Sequence, residues 1–450
     1  MRLKSLPLLA FVLSTAPLAA QDRAPDPARM EQVAAAQAES GDFMGAALVA
    51  RDGEVLLDKG YGSANLEWQI PNDGNTRFRL GSVTKQFTAV SIMLLRERGK
   101  VALDAPVKTY LPDAPAAWDE ITVFNLLTHS SGIPNFTSFQ DYGATKTLPA
   151  TVDDLIARFS DKPLDFAPGE QFSYSNSGYI LLTAIVEQAS GQSYADFVHE
   201  NLFQPLGMDD SGYDSHAAIV PHRATGYVPT REGPRHADYI DMTIPQGAGA
   251  LYSTTHDLLT WETGLFGGKV LEPESLGLLV APFKGNYALG LDVTKTDQGT
   301  TISHGGGIEG FNTWLGYDPD RNIAVAVLSN INGPGPDALG KSLMTLARGG
   351  EVKLTSERAE VTLPADLLRS YEGTFEISPT FGFVVKLEGD HLTVQATNQP
   401  AFPIFAEKED EFFLKVTDAQ LTFTRDASGA VDGAILHQGG RDAPARRRTP

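Results

Sequence analysis

Residues 45–62 read GAALVARDGEVLLDKGYG, two runs of strand-forming residues around Asp52-Gly53, the dipeptide that most strongly marks a tight hairpin. Before them, Arg29–Ala38 reads as a helix. From Ser82 the pattern changes: in LGSVTKQFTAVSIML, Phe87, Val90 and Leu94 fall on one face of a helix that stops near Gly99. Residues 100–270 are mostly helices and long loops, clearest in TVFNLLTH, GYILLTAIVEQASG and STTHDLLTWETGLF. Strand patterns return in YALGLDVT, TTISHGG, FNTWLGYDP and NIAVAVLSN, and a last helix, DALGKSLMTLARGG, runs out in glycines. Strands at both ends of a region with helices between them predict one sheet assembled from the two ends. Hairpin-length connections make it antiparallel with flanking helices and a helical subdomain, which is an α+β fold.

After a linker at 349–365, residues 366–450 switch to strand periodicity in YEGTFEI, GFVVKLEGDHLTVQA, DEFFLKV and AQLTFTRDASGAVDGAILHQ. Glu388-Gly389-Asp390 and Asp426-Ala427-Ser428-Gly429 supply turns between them, a spacing that predicts a small β-barrel or sandwich. At the other end, MRLKSLPLLAFVLSTAPLAA has a basic start, an apolar stretch and small residues ending at Ala20. That is the pattern of a secretory signal peptide over residues 1–20, too short and too interrupted by proline for a retained span. A polar linker at 21–31 then leads into the main domain at 32–348. The expectation is a periplasmic or secreted protein with no membrane insertion after cleavage.

The length of 450 residues fits two domains rather than one core. The net charge is −20, and without residues 1–20, which hold Arg2 and Lys4 and no acid, it is −22. So acidic a chain repels nucleic acid and anionic lipid, which excludes both as natural partners. The chain has no cysteine, so thiol catalysis, disulfides and Cys-ligated metal are excluded.

Two lysine motifs point to different chemistries. Gly335-Pro-Asp-Ala-Leu-Gly340-Lys341-Ser342 matches the phosphate-cradling loop in form. Pro336 has no N–H to give a phosphate, Asp337 adds negative charge, and Pro336-Asp337 reads as the first turn of a helix that would contain Lys341. The second motif is Ser82-Val-Thr-Lys85, at a helix start. A cation in the first helical turn costs roughly 0.3–1 kcal/mol. Three residues apart on a helix, Ser82 and Lys85 share a face. Burial and the helix dipole both favour the neutral amine, which could accept the serine proton.

Tyr174-Ser-Asn176 lies just before a helix: a phenol near a cation has a lowered pKa and can relay protons, and an amide can hold a carbonyl. His304-Gly305-Gly306-Gly307 follows a strand. Glycines there would let a substrate backbone lie on the strand, and the Gly307 N–H can face an oxyanion.

In this order the three motifs resemble the penicillin-recognising serine hydrolases: class C β-lactamases, D,D-peptidases, D-aminopeptidases and β-lactamase-fold esterases. The resemblance covers about residues 32–348 and includes LLTHSSGIPNF, PLGMDDSGY and GAGALYSTTHDLLTW. The C-terminal part is similar to the lipocalin-like barrel that some members carry. The resemblance implies an exported serine hydrolase in which Ser82 forms an acyl-enzyme, with Lys85 and Tyr174 moving its protons. It implies an oxyanion hole from the N–H groups of Ser82 and Gly307, and substrate contacts at Asn176, His304, Gly305 and Gly306. It implies neither metal nor cofactor. His129 and His256 fall outside the motifs and are assigned to structure. Class C β-lactamases carry lysine where His304 stands, which favours D-amino-acid-containing peptides or small carboxylic esters over β-lactams. A class C-type β-lactamase and a non-catalytic penicillin-binding or peptidoglycan-sensing scaffold are the alternatives. The oligomeric state is left open.

Overall fold

A computed structural model describes residues 24–416, 419–438 and 441–448. The proposed signal peptide lies outside the described residues. The chain begins with helix α1 (Pro27–Glu39), which starts inside the stretch expected to be linker. Asp26 caps it through the Arg29 N–H and Pro27 occupies the first turn, where its missing N–H costs nothing.

A six-stranded antiparallel sheet forms the centre of the main domain. Its strands are β1 (Gly45–Arg51), β2 (Glu54–Tyr61), β3 (Asp292–Thr296), β4 (Gly299–Ile308), β5 (Phe311–Asp318) and β6 (Ile323–Ser329). They lie in the order β3-β4-β5-β6-β1-β2, so the N-terminal hairpin joins the C-terminal strands through β1 and β6, with Gly45 opposite Ser329. This is the sheet closed from both ends that the pattern predicts.

Both faces of the sheet are covered. On one, α1 and α5 (Gly335–Ala347) pack on Ala47, Val49, Val325 and Val327. On the other, Ala46, Ala326 and Leu328 join the larger core, which includes α2 (Thr84–Glu97), α3 (Asn176–Ser190) and α4 (Thr255–Phe266). A strand buried on both faces is apolar without alternation, which is why β6 is continuous in Ile-Ala-Val-Ala-Val-Leu.

One expected strand is shorter than its pattern. Beyond isolated bridges at Tyr287, residues 288–291 of YALGLDVT turn instead of pairing, because Gly290 takes the left-handed conformation (φ +74°) and passes close to α2, where a Cβ would stand 2.8 Å from the Lys85 carbonyl oxygen. The pairing of β3 with β4 stops at Asp292 and Ser303, short of His304 and the glycines.

The C-terminal strands close into an eight-stranded antiparallel barrel: β7 (Gly373–Ser378), β8 (Phe381–Glu388), β9 (His391–Ala396), β10 (Ala401–Ala406), β11 (Glu411–Phe413), β12 (Ala419–Arg425), β13 (Val431–Gln438) and β14 (Arg441–Arg447). The first and last strands close it, with Phe375 opposite Arg447. The sequence pattern misses β10 and β14, which contain Pro403 and Pro444, residues that cannot donate to a ladder and normally argue against a paired strand. Phe375, Phe383, Phe412 and Phe423 fill the interior, and Tyr371 adds to the packing at 5.1 Å from Phe412.

The close approach of the Ser82 turn to β4 yields a test. A Cβ on Gly306 would overlap the Leu80 carbonyl oxygen, whereas Gly277, on an exposed helix, has open space around it. Gly306→Ala should lower stability by about 1–3 kcal/mol, and Gly277→Ala should leave it unchanged or raised. Thermal unfolding of the two variants decides this; equal melting temperatures would refute the packing argument.

Candidate active site

Ser82 sits in a single 3-10 turn, Gly81–Val83, that runs straight into α2. Gly81 has φ +53°, and a Cβ on it would be 2.7 Å from the Gly307 nitrogen. The absence of side chains at Gly81 and Gly306 thus brings the Ser82 turn against β4. The glycines of this strand serve that contact first. Gly305, Gly306 and Gly307 all line the cavity beside Ser82 where β3 no longer covers the strand, the place expected for a substrate backbone.

Lys85 is fully buried. Its Nζ lies 3.1 Å from Ser82 Oγ, 2.9 Å from Asn176 Oδ1 and 2.8 Å from the Ala248 carbonyl oxygen. It also stands over the rings of Tyr174 (4.8 Å) and Tyr179 (5.2 Å). No carboxylate takes part in these contacts, and burial holds the amine well below the ordinary lysine range. A neutral amine has two N–H groups and one lone pair. Asn176 Oδ1 and the Ala248 carbonyl can only accept, so they take both N–H groups. The lone pair is left facing the Ser82 hydroxyl.

Tyr174 shares a hydrogen bond with Ser82. The expectation of a phenol acidified by its lysine neighbour does not hold. Burial pushes the Tyr174 phenol up, because a phenolate is desolvated there and Lys85 itself favours the neutral form. The stable pair is neutral amine and neutral phenol. Asn176 gives its oxygen to Lys85 and one N–H to Thr137 Oγ1 at 3.2 Å, which leaves one N–H toward the cavity.

His304 departs from expectation. Its Nδ1 lies 2.6 Å from the Gly305 carbonyl oxygen and its Nε2 3.1 Å from the Tyr287 hydroxyl, so both ring nitrogens are engaged away from Ser82 and Tyr174. Its ring centre is 6.3 Å from that of Tyr174. Burial, with Lys85 nearby, holds the imidazole down at about 4. His129, assigned to structure from the sequence, is instead packed 4.2 Å from the Tyr174 ring and hydrogen-bonded to Tyr287 at 3.1 Å. Tyr287 carried no motif at all. His256 does lie apart, paired with Asp58 at 2.7 Å. Lys341 of the phosphate-loop look-alike is inside α5, as argued, and its Gly340 makes room for the Trp314 ring.

Ser82 divides the cleft in two. A cavity of about 1090 Å³ lies on the side of Tyr174, His304 and Asp337, and reaches Gln438 of the barrel. A second, of about 450 Å³, lies on the side of Asn176 and has largely apolar walls, including Phe136, Tyr142, Ile240 and Ile308.

With this geometry in place, comparison with known proteins decides the family. The β-lactamase family profile matches residues 30–348, and a domain of unknown function, DUF3471, matches 357–446. The chain belongs to the β-lactamase family. It is 27% identical to penicillin-binding protein 4* of Bacillus subtilis over 439 residues, which cover 91% of this chain and 96% of the relative. It is 35% identical to esterase EstB of Burkholderia gladioli over 265 residues, 55% of this chain and 64% of the esterase. A D-stereospecific amidohydrolase from Streptomyces sp. superposes with a TM-score of 0.59 at 25% identity, over 68% of this chain and 95% of the other. The chain is therefore a serine hydrolase of the β-lactamase and penicillin-binding-protein family.

The buried imidazole of His304 makes stability pH-dependent. Free histidine titrates near 6.5 and His304 near 4, so the unfolded chain binds more protons between these values. The contribution is complete above about pH 6.5 and is lost as pH falls toward 4, by about 3 kcal/mol. Melting temperature should drop across that window, and less steeply in His304→Asn. Equal slopes would show that His304 does not carry the effect.

Proposed function

We propose that the protein is an exported acyl-transfer hydrolase in which Ser82 is the nucleophile, Lys85 its base and Tyr174 the acid that serves the leaving group. The observation that carries this is the environment of Lys85 Nζ, where two carbonyl acceptors leave only the lone pair for Ser82. As Ser82 Oγ bonds to the substrate carbonyl carbon, its proton passes to Lys85 and the N–H groups of Ser82 and Gly307 hold the oxyanion. Collapse expels the leaving group, which takes the Tyr174 proton, and the Lys85 ammonium beside the Tyr174 ring passes its proton to the phenolate, so that both groups end neutral. Water then attacks the ester by the reverse relay, releasing a carboxylic acid and free Ser82.

A leaving group must depart on the side of its acid. Tyr174 lines only the larger lobe and Asn176 only the smaller, so the acyl part belongs in the smaller, apolar lobe. The substrates that fit are D-amino-acid-containing peptides or amides, and small carboxylic esters, with an apolar acyl side chain. A D-stereospecific amidohydrolase and an esterase among the similar proteins support that pair of classes. His304, neutral and with both nitrogens engaged, offers no charge to a β-lactam carboxylate. The basic and apolar N-terminus supports export, with cleavage after Ala20.

The direct test is labelling by a fluorophosphonate and by a fluorescent penicillin. Wild type should label with the fluorophosphonate, Ser82→Ala should not, and Lys85→Met should label about 100- to 10,000-fold more slowly while staying folded. An unlabelled wild type would refute the acyl-enzyme. Among p-nitrophenyl esters, D-alanine p-nitroanilide and nitrocefin, nitrocefin should have a kcat/KM about 100-fold below the best substrate. Comparable nitrocefin turnover would instead favour a class C-type β-lactamase. N-terminal sequencing of the exported protein should begin at Gln21.

A further inference from the structure

We propose that His129 and Tyr287 are positioning residues: with His304 they form one hydrogen-bonded chain that holds His304 in the Nδ1–H tautomer and ties the Tyr174–Asn176 loop to strand β4. The chain runs from the Ser175 N–H to His129 Nδ1 (3.2 Å), from His129 Nε2 to Tyr287 Oη (3.1 Å), from Tyr287 Oη to His304 Nε2 (3.1 Å), and from His304 Nδ1 to the Gly305 carbonyl (2.6 Å).

Its two ends are backbone groups with one role each, and they fix every proton between them. The Ser175 N–H can only donate, so His129 Nδ1 accepts and its proton sits on Nε2. The Gly305 carbonyl can only accept, so His304 carries its proton on Nδ1 and its Nε2 accepts. Tyr287 therefore receives from His129 and gives to His304. All three side chains are buried, and Lys85, the phenols of Tyr174 and Tyr179 and the carboxylate of Asp292 are the titratable groups that face them. Burial keeps both imidazoles neutral at neutral pH, the state this proton order requires. The opposite tautomer of His304 would set its lone pair against the Gly305 carbonyl oxygen and its N–H against the hydroxyl proton of Tyr287.

The chain connects the two walls of the larger lobe. His129, itself held in the left-handed conformation (φ +53°), grips the loop twice, since its own carbonyl accepts from the Ser173 N–H at 2.9 Å while its ring accepts from Ser175. Tyr174 lies between those two anchors. At the other end, His304 precedes the glycines against which the Ser82 turn packs, at Gly306 with Leu80 and at Gly307 with Gly81. Movement at Tyr287 would thus shift the phenol and the strand relative to each other.

The experiment uses the full chain with 15N-labelled histidine and multiple-bond 15N–1H spectra near neutral pH, His304 and His129 being assigned by single substitutions. Wild type should show His304 protonated on Nδ1 and His129 on Nε2. In Tyr287→Phe, which preserves shape, the Gly305 carbonyl should keep the His304 proton on Nδ1, while the Nε2 resonance should move to that of an acceptor nitrogen without a donor as its hydrogen bond is lost. With an ester substrate, kcat should fall by about 10- to 100-fold and KM should hold within about twofold. His129→Asn keeps an acceptor for Ser175 but cannot reach Tyr287, and should reproduce the fall in kcat. His304 protonated on Nε2 in wild type, or an unchanged His304 Nε2 resonance in Tyr287→Phe, would overturn the proposal. If Tyr287→Phe does not fold, the wild-type spectrum and His129→Asn decide. The kinetic arm rests on the hydrolase reading, but the spectra do not: a wild type that hydrolyses nothing yet shows the expected tautomers would refute that reading and leave this chain standing.

Discussion

The structure turns on the burial of one amine. Lys85 occupies the second position of a helix, where the dipole disfavours a cation, and it is walled in by two aromatic rings, an amide, a carbonyl and a hydroxyl. A carboxylate in that shell would hold the proton on Lys85 and leave no lone pair to face Ser82. Its absence, with complete burial, reverses the usual state of lysine. The same desolvation acts on Tyr174 in the opposite chemical sense, raising the phenol because its charged form is the basic one. One physical cause therefore supplies an acceptor and a donor that both meet Ser82, without any group that must be charged at rest. Neutral histidines around the pair extend the same logic.

Such an arrangement depends on rigid backbone. The Ser82 turn is held against β4 by contact between main chains, at Gly81 with Gly307 and at Gly306 with Leu80, and Thr313 Oγ1 bonds the Leu80 carbonyl at 2.8 Å. The strand itself is fixed by β5, which is in turn paired with the doubly covered β6. The catalytic geometry is thus referred to the most buried part of the sheet, and only the outer edge of β4 beyond Ser303 stays open to a substrate.

How much of this was legible follows from the range of each signal. The sheet, its closure from both ends and the three motifs are local patterns, and they were readable from residues 45–62, 82–85, 174–176 and 299–329. The neutral state of Lys85 was inferred from an apolar helix and a dipole, both visible in sequence. The direction of the Tyr174 shift was not, because it depends on whether burial or the neighbouring amine dominates, and burial is a property of the whole fold. Tyr287 and His129 were invisible for the same reason: their partners lie 17 and 158 residues away. A left-handed, non-glycine conformation at His129 is also outside what periodicity reports. The two missed barrel strands failed on a sound rule, since proline is tolerated where closure of the barrel leaves neighbouring pairs on both sides to hold the strand.

The interior of the barrel is packed with phenylalanine, and Tyr371 hydrogen-bonds to Asp410 and Arg425, so it is the outer surface that the barrel presents to its surroundings. What matters is how it is held. Glu357 pairs with Arg29 of α1, while its neighbour Arg358 pairs with Glu407 of the barrel, so consecutive linker residues grip the two domains from one point. The Arg358–Glu407 contact is largely shielded from water, which spares it most of the screening that makes surface pairs weak. Lys353 joins Glu407 as well. A linker fastened on both sides gives the barrel a defined seat, and that seat places Gln438 on the wall of the larger lobe, opposite the aromatic side of the cleft at Phe172 and Tyr287. On the proposed reading, the group that leaves Ser82 departs into a space bounded by both domains, whereas the acyl part lies in a lobe built by the hydrolase domain alone.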